Sequence, residues 1–98
     1  MKTFETLEDV RDYLETIPSK KWCGYIRDDG KGKHCALGHL DKALGRDSTP
    51  LMRKLDPEPR IGYSLPIVNV NNKAAKEEKD IKRAVIDYLN KRIEGITV

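Results

Sequence analysis

One stretch of the sequence, residues 22–45, constrains the fold more than any other. It holds the single Trp, both Cys and both His of the chain. Residues 22–27 favour a strand, and residues 28–33 form a Gly-rich turn. From Cys35 onward the apolar residues recur at helical spacing, and they are Ala36, Leu37, Leu40, Ala43 and Leu44. The stretch therefore predicts a short β-hairpin that leads directly into a central helix.

The predicted hairpin has a suitable turn centre at Asp29 and Gly30, because Gly accepts a positive φ and Asp tolerates one. If these two residues are the whole loop, the register places Tyr25 opposite His34. Gly32 leaves a longer, bulged loop as the alternative. The central helix is expected to stop at Gly45, which suits the left-handed position after a helix.

Capping residues and apolar spacing predict the other helices. An N-terminal helix covers about residues 6–17, with Thr6 as N-cap and Asp9 three residues on. A short helix follows Thr49 as N-cap and Pro50 as first helical residue.

The last third of the chain combines strand and helix signals. Residues 66–70 have the composition of a short strand, and residues 71–94 are predicted to form a C-terminal amphipathic helix. Either Asn72 caps one long helix, which we favour, or Asp80 caps a shorter one and leaves residues 73–79 outside it. The sequence thus predicts an α+β fold in a single domain, residues 1–98, with an N-terminal helix, a β-hairpin, a central helix, a short helix and the C-terminal helix.

The charge of the chain is modest and uneven. The formal net charge is +3, with five acids and two bases in residues 1–17 but ten bases and six acids in residues 18–60. The basic segment 20–60 suggests weak nucleic-acid binding. Nucleic-acid-binding domains usually carry a denser basic stripe, so we do not favour this alternative.

The first residues lack the apolar core of a signal peptide, and no apolar run is long enough to cross a bilayer. We therefore expect a cytoplasmic protein without a membrane partner, whose thiols stay reduced.

A motif built from Trp22, then Cys35-Ala36-Leu37-Gly38, then an Ile- and Asn-containing segment at residues 67–72 resembles an uncharacterised family of small bacterial and phage proteins. The family pattern is Trp, Cys-Ala-Leu-Gly and Ile-x-x-Asn-Asp, and the resemblance covers about residues 22–90. Here Asn72 stands where the family has Asp. The resemblance implies a small α+β fold of phage or bacterial origin, with the central helix near the Asn segment, and it implies no particular activity.

Cys35 is the most suggestive residue for chemistry. A thiol at a helix N-terminus, with His39 one turn on, is an arrangement found in activated nucleophiles, so a thiol enzyme or ligand-binding protein centred on Cys35 and His39 is one alternative. The other interpretation, which we prefer, is that Cys35 is a small buried apolar residue.

A zinc site formed by Cys23, Cys35 and His39, with His34 as a further ligand, is a weaker alternative. The chain lacks the paired Cys-x-x-Cys spacing of small zinc modules, so we predict no metal and no cofactor. The backbone N–H groups of residues 30–33, together with Lys31 and Lys33, could hold an anion. A solvated turn is the preferred interpretation of this segment.

These observations favour a small non-enzymatic interaction or regulatory domain that binds a protein partner. The candidate partner-binding residues are Trp22, Arg27, Lys31, Lys33, His34, Asn71 and Asn72. We also predict that Asn71 or Asn72 lies beside the Cys35 end of the central helix and bonds to its backbone, in the manner of a cap.

Overall fold

The computed structural model describes residues 2–57 and 65–95. Within these ranges the regular secondary structure is helical, apart from one isolated β-bridge between Trp22 and His34. The helices are α1 (Leu7–Glu15), α2 (Ala36–Leu44), α3 (Thr49–Leu55), α4 (Pro66–Lys76) and α5 (Ile81–Ile93), with a 3-10 turn at Ser19–Lys21. The prediction of an α+β fold is therefore wrong.

Helix α5 is the central element of the packing. It lies against both α1 and α4, and α2 contacts α1 and α4. Residues without any exposed surface mark the seam between α1 and α5: Val10 and Leu14 on α1, and Val85 and Leu89 on α5. The same core includes Trp22, Leu40, Met52, Leu65 and Ile67.

The N-terminus of α1 has the predicted capping box. The Thr6 hydroxyl accepts a hydrogen bond from the Asp9 N–H at 3.1 Å, and the Asp9 carboxylate accepts one from the Thr6 N–H at 3.2 Å. Two of the N–H groups that a helix start leaves unpaired are thereby satisfied. The helix ends at Glu15, two residues before the predicted end.

Helix α2 has the predicted termini, with Cys35 as N-cap and Gly45 at a φ of 72° after the last turn. Helix α3 begins one residue earlier than predicted, because its N-cap is Ser48 and not Thr49. Ser48 is buried, and its hydroxyl lies 2.6 Å from Asp41 Oδ1. The residue thus joins α2 to α3 instead of capping α3 with its side chain.

The predicted strand at residues 66–70 is wrong, because these residues form the first half of α4. Pro66 is its first residue, a position where its fixed φ suits a helix. The buried face of α4 consists of Ile67, Asn71 and Ala74, which follow helical spacing. The sequence conceals this period, because a polar residue occupies the core position 71 between Ile67 and Ala74.

The favoured single helix over residues 71–94 is also wrong, and the shorter alternative is confirmed. Helix α4 ends at Lys76, Glu78 has a positive φ of 57°, and Asp80 caps α5 by accepting a hydrogen bond from the Arg83 N–H. Residues 73–76 are helical but belong to α4. The chain therefore turns back between two helices that pack against each other.

The predicted β-hairpin does not form. Asp28 accepts a hydrogen bond from the Gly30 N–H at 2.8 Å, and Asp29 accepts bonds from the N–H groups of Lys31 and Lys33 at 2.7 and 3.0 Å. Donors that a hairpin would direct across its ladder thus bond to nearby side chains. His34 is bridged to Trp22 in a parallel register, not to Tyr25.

Candidate functional site

The distinctive residues of the chain lie on and around the segment between the 3-10 turn and α2, residues 23–34, which we call the 23–34 loop. Its two ends are joined by a parallel bridge. The His34 N–H donates to the Lys21 carbonyl at 3.0 Å, and the Cys23 N–H donates to the His34 carbonyl at 3.0 Å. The loop therefore leaves and returns to the same place, at the N-terminus of α2.

Asn71 of α4 continues this bridge with its side chain. In a parallel ladder, the next hydrogen bond would join the Ala36 N–H to the Cys23 carbonyl. Instead, Asn71 Oδ1 accepts from the Ala36 N–H at 3.0 Å, and Asn71 Nδ2 donates to the Cys23 carbonyl at 3.1 Å. The prediction that Asn71 or Asn72 bonds to backbone at the Cys35 end of α2 is confirmed.

Asn72 holds the loop at a second point. Its Oδ1 accepts a hydrogen bond from the Tyr25 N–H at 2.8 Å, and it also lies 3.3 Å from Asn71 Nδ2. Asn71 is 1% exposed and Asn72 is partly buried. The two side chains are therefore occupied in holding backbone, which is a structural role.

Two glycines allow the loop to lie close to the helices. A Cβ atom on Gly38 of α2 would lie 1.9 Å from the Arg27 carbonyl oxygen, and one on Gly24 would lie 2.3 Å from the Ala75 Cβ of α4. Both distances are far below van der Waals contact. Only glycine fits at these two positions without moving the loop away from α2 and α4.

Tyr25 and Ile26, which lie between the Gly24 contact with α4 and the Arg27 contact with α2, project into solvent. The Ile26 N–H donates to the Gly24 carbonyl at 2.9 Å, and Tyr25 between them has a φ of 67°. This is the positive-φ form of the γ-turn, which is rare and strained for a residue with a side chain. Tyr25 is 67% exposed and Ile26 is 52% exposed, and they are the exposed large hydrophobic residues of the described part of the chain.

Arg27 is held beside this turn by three side chains. Its guanidinium donates to Asp41 at 2.8 Å, to Asp47 at 2.7 Å and to Thr49 at 2.7 Å. The hydrogen bond to Asp47 raises the pKa of Arg27, and the same bond holds the pKa of Asp47 well below its usual range. The positive charge of Arg27 is thus largely neutralised, and its position is fixed.

Trp22, His34 and His39 form a group of mutually tilted rings beneath the loop, with interplanar angles of 55° and 60°. The His39 ring centroid lies 4.9 Å from that of Trp22 and 5.0 Å from that of His34. His39 Nε2 is 2.9 Å from the Lys21 carbonyl, so this nitrogen carries the proton. Burial lowers the pKa of His39 to about 4.

His34 also bonds within the loop, since its Nδ1 lies 2.8 Å from the Arg27 carbonyl. Trp22 is only 4% exposed, and its Nε1 lies 3.4 Å from the Ile17 carbonyl. The structure therefore places Trp22 and His39 in the core, where they are not available for contact with a partner.

The two cysteines are free thiols, with Cys35 buried and Cys23 partly buried. Cys23 Sγ lies 3.4 Å from the Ile26 carbonyl, a contact that closes the turn around Tyr25. Burial raises the pKa of the Cys23 thiol, and the nearby Asp29 carboxylate raises it further. In residues 2–57 and 65–95, no group of three or more Cys, His, Asp or Glu is placed to hold a metal ion.

Three of the four backbone donors at residues 30–33 of the Gly-rich turn are already occupied, because the side chains of Asp28 and Asp29 accept from the N–H groups of residues 30, 31 and 33. Lys31 and Lys33 are exposed at its surface. The solvated turn is the better description of this segment.

Sequence reasoning missed the exposed pair Tyr25 and Ile26. Strand alternation assigns these two residues to opposite faces of a hairpin, so neither one stands out. The signal that could have revealed them is the run Asp28-Asp29-Gly30, since consecutive Asp residues before Gly favour local turns over a ladder. Without the ladder, an aromatic and an aliphatic residue are left without a partner strand.

Comparison with protein-family models, with curated proteins and with solved structures found no significant match to this chain. The resemblance based on the Cys-Ala-Leu-Gly motif thus stays a prediction. Among the helices of the described residues, none has the length and apolar character needed to cross a bilayer.

Proposed function

We propose that the protein is a small non-enzymatic interaction domain of regulatory type, which binds a folded protein partner by inserting Tyr25 and Ile26 into an apolar pocket of that partner. The observation that carries the proposal is the exposure of this adjacent pair on a strained turn. Isolated exposed apolar residues are ordinary on protein surfaces. An adjacent aromatic and aliphatic pair held in a costly conformation calls for an explanation.

The strain at Tyr25 is the first support. A non-Gly residue held in a sparsely populated backbone region costs on the order of 1–3 kcal/mol and persists only where the surroundings impose it. Here the surroundings are the Asn72 hydrogen bond and the close contact of Gly24 with Ala75. Because the Tyr25 side chain remains in solvent, burial of that side chain does not offset the cost. A role of the Tyr25 side chain in binding explains why the protein keeps this strained conformation.

The fixed geometry of the neighbours is the second support. Tyr and Arg are enriched among residues that dominate binding energy, especially where they are rigid before binding. Arg27 is already ordered by Asp41, Asp47 and Thr49. A partner would therefore meet an ordered apolar tip beside a neutralised polar rim, which suits an apolar pocket better than a phosphate backbone.

The geometry around His39 gives little support to the thiol-enzyme alternative. A general base works best when its pKa is near the working pH, whereas the pKa of His39 is about 4. Cys35 is 8% exposed, which restricts the approach of a substrate to its sulfur. As part of the proposal we place the protein in the cytoplasm, where thiols are reduced at rest and a disulfide, where one forms, is usually transient.

The test compares proteins captured by the wild type with those captured by the double variant Tyr25→Ser/Ile26→Ser. The matched control is Lys31→Ser, which changes another exposed residue of the same loop. We expect specific proteins to bind the wild type and the control but not the double variant. With the purified partner, calorimetry should show affinity reduced by at least about 30-fold, the loss of a binding hot spot. Equal capture or equal affinity for the wild type and the double variant would refute the proposal.

A further inference from the structure

The two cysteines occupy facing positions on the paired backbone segments. The bridge joins Trp22 to His34 in a parallel register, so the next residues along each segment, Cys23 and Cys35, face each other. The rings of Trp22 and His34 both contact the ring of His39, which shows that they point to the same side. Since side chains alternate along extended backbone, Cys23 and Cys35 share the opposite side.

This register suits a disulfide. The Cys23 N–H donates to the carbonyl of His34, the residue before Cys35, at 3.0 Å, which holds the two cysteines on neighbouring backbone. The Cα atoms of disulfide-bonded cysteines are usually about 4.4–6.8 Å apart, a separation that such neighbours can reach. Cys35 has extended backbone, with φ −76° and ψ 176°, as the N-cap of α2. The proximity of the two thiols is also seen in their electrostatics, because a negative charge on Cys35 contributes to the raised pKa of Cys23.

We propose that Cys23 and Cys35 form a reversible intramolecular disulfide, and that its formation loosens the turn that presents Tyr25 and Ile26. The second half of this statement rests on the proposed function, because it concerns the same binding tip. In the reduced protein the Cys23 thiol contacts the Ile26 carbonyl at 3.4 Å. A disulfide sulfur has no proton to donate, so oxidation removes this contact.

The oxidant is a small-molecule disulfide. The Cys23 thiolate, on the more exposed cysteine, attacks one sulfur of that disulfide, forms a mixed disulfide and releases one small thiolate. Cys35 gives its proton to solvent and attacks Cys23 Sγ, which forms the Cys23–Cys35 bond and displaces the second small thiolate. Two electrons pass from the two protein thiols to the small disulfide, which is reduced to two thiols.

The first experiment uses the full chain with oxidised and reduced glutathione at defined ratios, followed by alkylation and intact mass spectrometry. We expect the wild type to form the intramolecular disulfide, which is seen as a monomer with no alkylated cysteine and no bound glutathione. Cys35→Ser should stop with glutathione on Cys23, because the second attacking thiol is missing. The proposal fails if the wild type also accumulates the glutathione adduct, or if it stays reduced at ratios where the urea-unfolded chain forms the disulfide.

The second experiment measures amide hydrogen exchange of Tyr25, Ile26 and Arg27 in the reduced and oxidised forms. We expect exchange at these amides to rise by about threefold to tenfold on oxidation, the scale for losing one hydrogen bond. Unchanged exchange in a chain shown to carry the disulfide would refute the effect on the turn. Neither readout needs a partner, so failure of the proposed binding function would be seen separately.

Discussion

The seam between α1 and α5 and the attachment of the 23–34 loop are held together by different chemistry. At the seam, fully buried aliphatic residues such as Leu14 and Leu89 form the contact, and the Arg11 guanidinium donates to the Asn90 carboxamide beside them. At the loop, the Asn71 carboxamide, the Asn72 carboxamide and two glycine contacts fix backbone to helix. Apolar packing tolerates small shifts in position, whereas hydrogen bonds and close backbone contacts depend on particular atoms. The loop should therefore be far more sensitive to conservative substitutions than the seam.

The largest expected effect is a pH dependence that originates beneath the loop. The pKa of His39 falls from 6.5 to about 4 in the folded protein, which corresponds to about 3 kcal/mol. Between these two pH values the unfolded chain binds the proton and the folded protein does not. The contribution of His39 to the free energy of unfolding should therefore be greatest above about pH 6.5 and should decrease as the pH falls toward about 4. Urea unfolding across this range measures it.

His39→Gln is the control for that prediction, because Gln can still donate to the Lys21 carbonyl but cannot take up a proton in this range. Its stability should change much less over the same pH interval. A wild type whose stability is equal at both ends of the interval would contradict the assigned environment of His39.

Gly38→Ala tests the close contact between the loop and α2. The added methyl group would overlap the Arg27 carbonyl, so the loop must move, and we expect a loss of about 2–3 kcal/mol in urea unfolding. Hydrogen exchange should increase in the 23–34 loop while the amides of α1 and α5 stay protected. Gly30→Ala is the control, since its Cβ would meet no atom within 4 Å and only its φ of 74° opposes the change. A Gly38→Ala variant as stable as the wild type would show that the contact does not constrain the loop.

Asn71→Ala removes the two bonds by which this residue of α4 holds the backbone of Cys23 and Ala36. The Ala36 N–H and the Cys23 carbonyl lose their partner, and we expect a loss of about 2 kcal/mol in thermal or urea melts. Asn72→Ala, at a more exposed position, should cost about 1 kcal/mol. Asn69 is exposed on the same helix, so Asn69→Ala should leave the stability nearly unchanged. If Asn71→Ala behaves like Asn69→Ala, the amide is not a structural contact.

Tyr25→Gly has the smallest expected effect and the opposite sign. Glycine adopts a positive φ without strain, so we expect stability to increase by about 0.5–1 kcal/mol. Ile26→Gly is the control. Tyr25 and Glu78 are the residues other than glycine with positive φ in the described ranges, so Ile26→Gly relieves no such strain and should destabilise the protein. A less stable Tyr25→Gly would mean that the Tyr25 side chain stabilises the fold, which would weaken its assignment as a binding tip.

The sequence allowed the helices with clear apolar periodicity and caps to be predicted, as at Thr6 and Asp9 of α1. The predictions from sequence were wrong where polar residues occupy buried positions. Asn71 interrupts the apolar face of α4, so the helix start was read as a strand. The hairpin was predicted from local β propensity, but local Asp side chains took the loop donors and a distant Asn completed the bridge. Such long-range polar contacts leave no periodic signal.

The candidate site was only partly predictable for the same reason. The prediction that Asn71 or Asn72 lies beside α2 is confirmed for Asn71, but the helix that brings it there is α4 and not the predicted C-terminal helix. The exposure of Tyr25 depends on a turn whose conformation is set by Asn72, which lies 47 residues further along the chain. No local pattern around Tyr25 reports that bond.

The Asn71 side chain also bears on the order in which the protein folds. Its two bonds join residues separated by 35 and 48 positions in the sequence. Contacts between distant residues form late, because a long chain segment must first be closed. On the ribosome, the loop cannot reach its final conformation until residue 71 has emerged and α4 has begun to form. A nascent chain that ends before α4 already contains the sequences of α1 and α2. We expect its 23–34 loop to lack a fixed conformation until α4 is added.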